Sequence, residues 1–334
     1  TATLSQLVER YGRSIVIVPN KSLVSQTEGD YKTLGLDVGV YYGERKEFDK
    51  QHTICTWQSL NVLLKKTKKY EAETSIGDFL QDVVCVMVDE VHQAKADVLK
   101  TLLTGPFANV PIRWGLTGTI PKEEYEVASL KASLGEVINK LSASELQDKG
   151  VLAKCHVNII QTQDTQAFSN YANEQTHLVT NPERLEFISD LIDKIREEGN
   201  TLILVDRIKS GQLLEELIVG SVFVQGRTKM EDREEEYDSI ATEQHKVIIA
   251  TYGVAAVGIN LPRIFNLVLI EPGKSFVRVI QSIGRGIRKA EDKDHVEIWD
   301  ITSACKFSKR HLTTRKKFYK EANYPFTIEK VNIE

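Results

Sequence analysis

Two kinds of segment alternate along the chain, and this alternation limits the folds open to it more than any other feature. Short apolar runs rich in β-branched residues are separated by longer stretches whose apolar residues recur with helical spacing. Strands that alternate with helices in this way predict doubly wound α/β domains built on parallel sheets. Each half of the chain holds five such runs, so we predict a five-stranded parallel core in each half. The predicted strands cover residues 14–18, 38–42, 53–57, 83–88 and 113–117, then 201–205, 221–225, 246–251, 266–271 and 295–301.

The length of 334 residues predicts two domains, because a single hydrophobic core rarely serves more than roughly 250 residues. The polar stretch 161–177 has little periodicity, which favours a connecting segment. After it, Asn181 is a favourable helix cap, Pro182 suits the first helical position, and Gly199 ends the helix. The predicted organisation is a first domain over residues 1–150, a linker region over 151–180 and a second domain over 181–334.

Composition and charge exclude several classes of protein. Hydrophobic residues make up 41% of the chain and charged residues 27%, as in ordinary globular proteins. No apolar run approaches the roughly 20 residues that cross a bilayer, and no signal-peptide pattern opens the sequence, so we expect a cytoplasmic protein. The four cysteines form no CxxC pair, which argues against a zinc site or a disulfide framework. The net charge of −4 does not indicate a nucleic-acid-binding protein, so any such role must come from local patches.

The segment VMVDEVHQA, residues 86–94, is the first candidate for chemistry. A β-branched run ends there in Asp89 and Glu90, with His92 two positions further on. Open α/β sheets bind their ligands at the carboxyl ends of their strands. The pair suits nucleotide hydrolysis, in which Asp89 would hold Mg²⁺ through its waters and Glu90 would position and polarise the attacking water. The dipeptide alone leaves open a simple acidic turn at the end of a strand.

Further segments in a fixed order strengthen the functional interpretation. GLTGT, residues 115–119, follows the next predicted strand, and its hydroxyl groups can hydrogen-bond both the carboxylate and His92. ATYGVAAVGINLP, residues 250–262, and QSIGRGIRK, residues 281–289, follow in the second half.

The segment QSIGRGIRK carries three polar residues, Gln281, Arg285 and Arg288, whose spacings of four and three put them on one face of a helix. A planar guanidinium binds phosphate oxygens at two points, which lysine cannot do. The alternative for this segment is a solvated basic helix.

The ordered set DEVH, TGT, ATYGVAAVGINLP and QSIGRGIR resembles motifs II, III, V and VI of helicase superfamily 2. Upstream, VPNKSLVSQ (18–26) is similar to motif Ia, and CTWQSL (55–60) to the short nucleic-acid-contacting motif that follows it. VFVQGRTKMEDREE (222–235) resembles the segment before motif V, where a glycine and a downstream arginine recur. Within this superfamily the pattern is most similar to the phage UvsW-type DNA helicases, and more loosely to the RecG, XPB and restriction-enzyme motors.

The resemblance implies two RecA-like lobes, each a mostly parallel sheet flanked by helices, with ATP and Mg²⁺ bound between them and a nucleic-acid strand across both. The residues implied in catalysis are Asp89, which also holds Mg²⁺ through water, Glu90, His92, Gln281, Arg285 and Arg288. Those implied in coupling the nucleotide to lobe movement are Thr117, Gly118, Thr119 and Gly258, together with His92. Candidate nucleic-acid contacts near strand ends, each otherwise an ordinary turn residue, are Asn20, Lys21, Thr56, Gln58, Arg227 and Thr251.

Two departures from the family pattern stand out. No GxxxxGK[ST] occurs, although an ATPase of this type needs its backbone cradle and lysine. The opening TATLSQLVERYG fits the helix that follows such a loop, so we expect the chain to begin inside the first lobe, with the loop upstream of Thr1. Ser282 stands where many relatives carry arginine in motif VI.

Two basic stretches remain outside these motifs, KKTKKY (65–70) and KFSKRHLTTRKKFYK (306–320). Either can bind phosphates, and Phe318 and Tyr319 of the second can stack on bases. At helical spacing the two aromatic residues can instead dock the last helix on its lobe.

The predicted function is an ATP-dependent DNA helicase or translocase that remodels branched or forked DNA in recombination, repair and replication restart. We expect it to act as a monomer on DNA, in the host cytoplasm if a phage encodes it. Two alternatives remain, a non-catalytic nucleic-acid-binding protein that retains the two-lobe shell and an RNA helicase. No metal other than nucleotide-bound Mg²⁺ is expected, because no histidine pair has the i, i+4 spacing of a ligand pair.

Overall fold

A computed structural model gives the fold of the chain. It describes residues 11–93, 96–118, 120, 124–164, 166–255, 263–274, 284, 290 and 292–333. The chain divides into two compact units, Thr1–Lys140 and Leu141–Glu334.

The first unit is a six-stranded sheet with helices along its faces. Its strands β1 to β6 are Ser14–Val18, Val38–Tyr42, Arg45–Lys46, His52–Thr56, Cys85–Val88 and Ile112–Gly115, in the order β3-β2-β4-β1-β5-β6. All described pairings are parallel except that of the short β3 with β2. Its helices α1 to α5 are Lys21–Thr33, Trp57–Lys68, Ile76–Phe79, Ala96–Thr104 and Glu124–Leu134.

Burial on both faces explains why these strands have nearly continuous apolar sequences. Every residue of β1 is buried. Ile15 and Ile17 point into one core cluster, and Val16 and Val18 into the other, because successive side chains of a strand alternate between faces. Helices therefore pack on both sides of the sheet, as parallel strands require.

In its described residues, the second unit contains a seven-stranded sheet whose strands all pair in parallel. Its strands β7 to β13 are Lys154–Thr162, Thr201–Val205, Ser221–Val224, Val247–Thr251, Asn266–Ile270, His295–Ser303 and Phe326–Val331, in the order β13-β7-β12-β11-β8-β10-β9. Its helices α6 to α12 are Ala143–Asp148, Tyr171–Thr180, Pro182–Ile195, Ile208–Leu217, Met230–Ser239, Tyr252–Ala255 and Lys306–Glu321.

The helix predicted to open at Asn181 is present as α8. Asn181 caps it by accepting a hydrogen bond from the N–H of Arg184, and Pro182 is its first residue. Ile188 and Ile192 are fully buried on its inner face. A 3₁₀ turn, Arg196–Glu198, extends the helix before Gly199 reverses the chain with φ of +139°.

The structure differs from the predicted linker over residues 151–180. Strand β7 lies inside the second sheet and pairs with β12 along nine residues and with β13 along six. Helix α7 follows it. The strand was missed because polar residues such as His156 and Asn158 alternate with buried ones at its amino end. The predicted five-stranded cores are also wrong, because β3, β7 and β13 enlarge the two sheets to six and seven strands.

Helix α12 docks on the second sheet through its aromatic residues. Phe318 and Tyr319 are buried, which is the second of the two alternatives for this basic stretch. The hydroxyl of Tyr319 donates to Asp300 Oδ2 at 2.7 Å. Arg315, fully buried on the same face, donates to both oxygens of Asp300 at 2.8 Å and to the carbonyl of Gly273 at 2.7 Å. None of the helices in the described ranges is long and apolar enough to cross a membrane.

Breaking the buried Arg315–Asp300 pair is expected to destabilise the second unit. Arg315→Met leaves the Asp300 carboxylate buried without its counter-charge, which costs about 3–5 kcal/mol. Urea unfolding followed by circular dichroism measures the loss as a lower midpoint. Lys317→Met, an exposed change on the same helix, is the control and should leave the free energy of unfolding within about 0.5 kcal/mol of the original. Equal midpoints for the two variants would contradict the assigned role of the pair.

Candidate functional site

The segment that follows β5 is held by the strands on both sides of it. The N–H of Asp89 donates to the carbonyl of Ile17 in β1 at 2.9 Å. On the other side, the N–H of Val91 donates to the carbonyl of Leu116 at 3.0 Å, just beyond β6. The predicted catalytic carboxylates therefore stand at the carboxyl end of a buried strand, between two neighbours that fix their backbone.

Glu90 has an unusual backbone conformation. Its φ is +46°, in the left-handed region that residues other than glycine rarely adopt. Such a conformation costs about 1–3 kcal/mol and occurs most often at functional sites. The N–H of Glu90 donates to Asp89 Oδ1 at 2.9 Å, which orients the Asp89 carboxylate. The strained backbone of Glu90 is thus accompanied by a fixed orientation of the Asp89 carboxylate.

His92 connects Glu90 with the end of β6. Its Nδ1 lies 2.6 Å from the hydroxyl of Thr117 and 3.4 Å from Glu90 Oε2. The hydrogen bond expected between a hydroxyl of the GLTGT segment and His92 is therefore present. Burial lowers the pKa of His92 below its ordinary value of 6.5, so the ring is neutral at pH 7. A neutral ring can accept the Thr117 proton at Nδ1, whereas a protonated ring would donate from Nδ1 and attract Glu90.

The polar residues after β1 and β4 come together at one edge of the first sheet. The two strands pair in parallel, with Val18 opposite Thr56, so the helices that follow them begin side by side. Asn20 caps α1 and Thr56 caps α2, each by accepting a backbone N–H. Gln58 donates to the carbonyl of Pro19 at 3.2 Å and so links the two caps.

This arrangement has features that favour the binding of anions. The first N–H groups of a helix have no partner within the helix and carry the positive end of its dipole. Two such ends lie next to each other here, and Lys21, the first residue of α1, is exposed beside them. Phosphate groups bind at such helix ends.

Tyr31 is a polar residue near this site that the sequence did not identify. Its side chain is fully buried, and within the described ranges its hydroxyl has no hydrogen-bond partner. Burial, and then the charge of Asp89, raises the pKa of Tyr31. The only signal in the sequence was its place on the inward face of a helix that packs against the sheet.

In the second unit, Arg227 follows β9, and Thr251 is the last residue of the neighbouring strand β10. β9 and β10 pair in parallel, so both residues lie at the same edge, with Arg227 exposed on the turn after β9. Arg233 of α10 donates to the carbonyls of Thr228 and Gly226 at 2.8 and 2.9 Å. Arg233 therefore holds the turn that presents Arg227.

A second polar group at this edge was not predicted. Asp206 and Arg207 follow β8, and Gln175 of α7 bonds to both, donating to Asp206 Oδ2 at 2.9 Å and accepting from Arg207 at 3.1 Å. The sequence carried a signal for this group, because Asp206 and Arg207 come directly after a buried apolar strand.

Several predicted residues lie outside the described ranges and remain predictions. They are Thr119, Gly258, Gln281, Ser282, Arg285 and Arg288. Within the described ranges, no group of three His, Cys, Asp or Glu side chains is arranged to hold a metal ion.

Two family models match the chain and together cover more than half of it. The model described as "Type III restriction enzyme, res subunit" matches residues 1–122, and "Helicase conserved C-terminal domain" matches residues 183–290.

Among curated proteins, the ATP-dependent DNA helicase uvsW of Enterobacteria phage T4 is 23% identical over 340 residues, covering 95% of this chain and 64% of that protein. The chain spans between 44% and 64% of the length of the curated relatives that it matches.

Two solved structures show the same fold. The helicase MrfA bound to DNA and AMPPNP has a TM-score of 0.67 at 12% identity, covering 98% of this chain and 46% of MrfA. Dbp5 of S. cerevisiae, bound to RNA and ADP BeF3, has a TM-score of 0.64 at 14% identity, covering 100% of this chain and 82% of Dbp5. These likenesses confirm the fold class predicted from the sequence.

The environment of His92 gives a test of the site that needs no substrate. We expect a pKa below 6.5 for His92 in an NMR titration, because burial disfavours the imidazolium. Asp89→Asn should lower this pKa further, since the Asp89 carboxylate is the charge that most favours protonation. The exposed change Asp49→Asn should leave it unaltered. An observed pKa at or above 6.5 would contradict the burial described here.

The lowered pKa of His92 also makes the stability of the protein depend on pH. The folded protein binds fewer protons at His92 than the unfolded chain does, so this residue makes the protein less stable as the pH falls below 6.5.

Proposed function

Because this chain belongs to the DExH-type helicases of superfamily 2, we propose that it is the motor of an ATP-dependent DNA helicase or translocase. The observation that carries the proposal is the fixed group formed by Asp89, Glu90, His92 and Thr117 at the carboxyl end of β5. Within a helicase, acidic side chains held at this place suit ATP hydrolysis.

Asp89 is assigned to the magnesium ion of MgATP. Its carboxylate suits this role, because hard divalent cations prefer carboxylate oxygens and because the N–H of Glu90 orients it. When bound, Mg²⁺ neutralises charge on the phosphate oxygens of ATP. Asp89 would hold the ion through water, which agrees with a site that has one carboxylate rather than a cage of protein ligands.

Glu90 is assigned to the attacking water as its general base. Its Oε2 is 3.4 Å from His92 Nδ1, and a carboxylate in this place suits acceptance of a proton from the attacking water. His92 and Thr117 would then sense the nucleotide through Glu90 and transmit its state to the end of β6. Gly118, with Thr119 and Gly258, is assigned to the same coupling, and Gln281, Arg285 and Arg288 to the γ-phosphate.

We assign the binding of nucleic acid to the edge of each sheet at which the carboxyl ends of its strands lie. In the first unit, the capped starts of α1 and α2 offer N–H groups and Lys21 to the phosphates, with Asn20, Thr56 and Gln58 in fixed positions. In the second unit, Arg227 and Thr251 take the same role. A motor that moves along any sequence must bind the backbone rather than the bases, and these groups suit that purpose.

DNA is favoured as the substrate by the relative from phage T4, which is a DNA helicase. We further propose that the protein acts on branched or forked DNA, as a monomer, in recombination, repair or replication restart. A phage origin would put it in the host cytoplasm. This finer assignment rests on the likeness to the UvsW-type helicases.

Replacement of Glu90 should abolish hydrolysis and leave the fold intact. Glu90→Gln removes the general base, and we expect DNA-stimulated ATPase activity to fall by about 10²- to 10⁴-fold. The binding of duplex DNA, measured by fluorescence anisotropy, should change by less than twofold. Glu73→Gln, an exposed change in the same unit, should retain full activity.

The same assay separates the motor from a non-catalytic binding protein. An intact protein that binds DNA and hydrolyses no ATP, with or without DNA, would contradict the proposal and favour a two-lobe shell that has lost catalysis. A Glu90→Gln variant with normal turnover would remove Glu90 from the mechanism.

The nature of the nucleic acid is tested by comparing activators of the ATPase. We expect forked DNA to stimulate more than linear duplex DNA of equal length, and both to stimulate more than RNA. The ranking is measured as the nucleic-acid concentration that gives half-maximal activity, at constant salt because phosphate binding depends on salt. Stimulation by RNA alone would favour the RNA helicase.

A further inference from the structure

The last helix of the second unit carries two different faces. Seven of the sixteen residues of α12 are Lys or Arg, and the single acidic residue, Glu321, is the last. Arg315 points inward and is neutralised by Asp300. The other six basic residues lie on the outer face, five of them exposed and Lys316 half-buried. They are Lys306, Lys309, Arg310, Lys316, Lys317 and Lys320.

These six residues share one side of the helix, which we call the α12 basic face. Residues three, four or seven apart fall on the same side of a helix, and the basic residues at the two ends of α12 are related in this way, with Thr313 and Thr314 between Arg310 and Lys316. Within the described ranges, none of the six forms an ion pair with a carboxylate. The charge of the chain as a whole is −4, so the α12 basic face is a local concentration of positive charge and not a result of composition.

The length and charge of this face match an elongated partner that carries negative charge along its surface. A helix of sixteen residues is about 24 Å long. Phosphates along one strand of duplex DNA advance about 3.4 Å each, so roughly seven nucleotides match the length of the face. We propose that the α12 basic face binds the phosphate backbone of a DNA duplex, as an additional contact that rests on the proposed function of the chain as a DNA motor.

The start of the α12 basic face lies at the edge where the proposed function puts nucleic acid. α12 follows β12, so Lys306 and Arg310 lie near the carboxyl edge of the second sheet, where Lys274 follows β11. His311 lies among these residues. Burial, and then the charges of Arg315, Lys274 and Arg310, lower the pKa of His311 against the opposing influence of Glu174. Lys306 and Arg310 are exposed at this end of the helix, and the basic face extends from that edge along the unit.

The chemistry of the face favours a duplex over a single strand. Single strands are bound by stacking bases on exposed aromatic rings as well as by charge. The two aromatic residues near the end of α12, Phe318 and Tyr319, are buried against the sheet and cannot take part. Phe307, near the start of the helix, is half-buried, and no exposed position of α12 holds an aromatic ring. The exposed residues of the face therefore offer charge, which suits the outside of a duplex.

The face also differs from a surface that binds protein. Stable protein interfaces have a core of apolar or aromatic residues surrounded by a polar rim. The exposed positions of α12 hold only Lys, Arg, Thr313 and the terminal Glu321. An acidic polypeptide is thus a weaker match than a phosphate backbone and serves as an alternative outcome of the test.

The test is the salt dependence of duplex binding by the intact protein. The triple variant Lys309→Gln, Lys317→Gln, Lys320→Gln removes three exposed charges from the face. The matched control removes three exposed charges elsewhere in the second unit, Lys149→Gln, Lys154→Gln and Lys194→Gln, so both variants have the same net charge. Affinity for a 25-base-pair DNA duplex is measured by fluorescence anisotropy over a range of KCl concentrations, and circular dichroism checks the fold.

We expect the α12 variant to lose at least tenfold in affinity at about 0.1 M salt. The slope of log K against log salt should fall in magnitude by about 2–3, close to 0.9 for each phosphate contact that is lost. The control should keep the slope of the unmodified protein. Equal slopes for all three proteins, or equal losses in the two variants, would overturn the proposal.

Two further measurements identify what binds to the α12 basic face. If the α12 variant lost affinity for duplex RNA and kept its affinity for duplex DNA, the assignment to DNA would be overturned. Loss of poly-glutamate binding with unchanged duplex binding would overturn it in favour of an acidic polypeptide.

The binding of duplex DNA by the α12 basic face and the hydrolysis of ATP by the protein can be tested independently of each other. Unchanged duplex binding by the α12 variant, beside DNA-stimulated hydrolysis by the unmodified protein, overturns this inference alone. Reduced duplex binding by the α12 variant, beside an absence of hydrolysis in the unmodified protein, supports this inference and contradicts the motor.

Discussion

Parallel strand pairing is the constraint on which the rest of the structure depends. It brings the carboxyl ends of neighbouring strands to one edge of each sheet, so residues distant in sequence meet there without a dedicated scaffold. In the first sheet β5 lies between β1 and β6, and backbone hydrogen bonds from Asp89 to Ile17 and from Val91 to Leu116 continue this pairing beyond the strand. The strained backbone of Glu90 is held by these neighbours, and its carboxylate meets His92 and Thr117 as a result.

Buried charged residues hold α12, the last helix of the second unit, in place against the sheet. Glu174 of α7 accepts backbone N–H groups at the start of α12, and the Ser308 hydroxyl lies 2.9 Å from Glu174 and 3.0 Å from Glu271. Arg184 donates to Glu271, whose pKa is raised by burial. Charged groups so deeply buried are tolerated because oppositely charged groups and hydroxyls bond to them, and they fix one position for the helix. The inward face of α12 is therefore structural, which leaves its outward lysines available for a partner in solution.

The sequence allowed the strands of both cores to be located, because strands buried on both faces have short, continuous runs of β-branched and apolar residues. The sequence did not reveal β7 or β13. In β7 the polar residues His156 and Asn158 give the segment a polarity typical of a loop, and β13 is an edge strand with mostly exposed residues. Of the candidate site, Asp89, Glu90 and His92 could be selected from their order in one motif. The polar group of Gln175, Asp206 and Arg207 was missed, because Gln175 reaches the strand ends from a helix about 30 residues away in sequence.

The sequence by itself determined the family, the alternation of strands and helices, and the residue types available for phosphate chemistry, since these depend on local pattern and on the order of motifs. Only the tertiary structure decided which side chains meet. His92 contacts Thr117 across 25 residues because two strands pair, and Phe318 and Tyr319 turn inward because the sheet offers an apolar surface. Local sequence sets the preference of a segment, whereas contacts between distant segments depend on which arrangement buries the most apolar surface and leaves the fewest polar groups without partners.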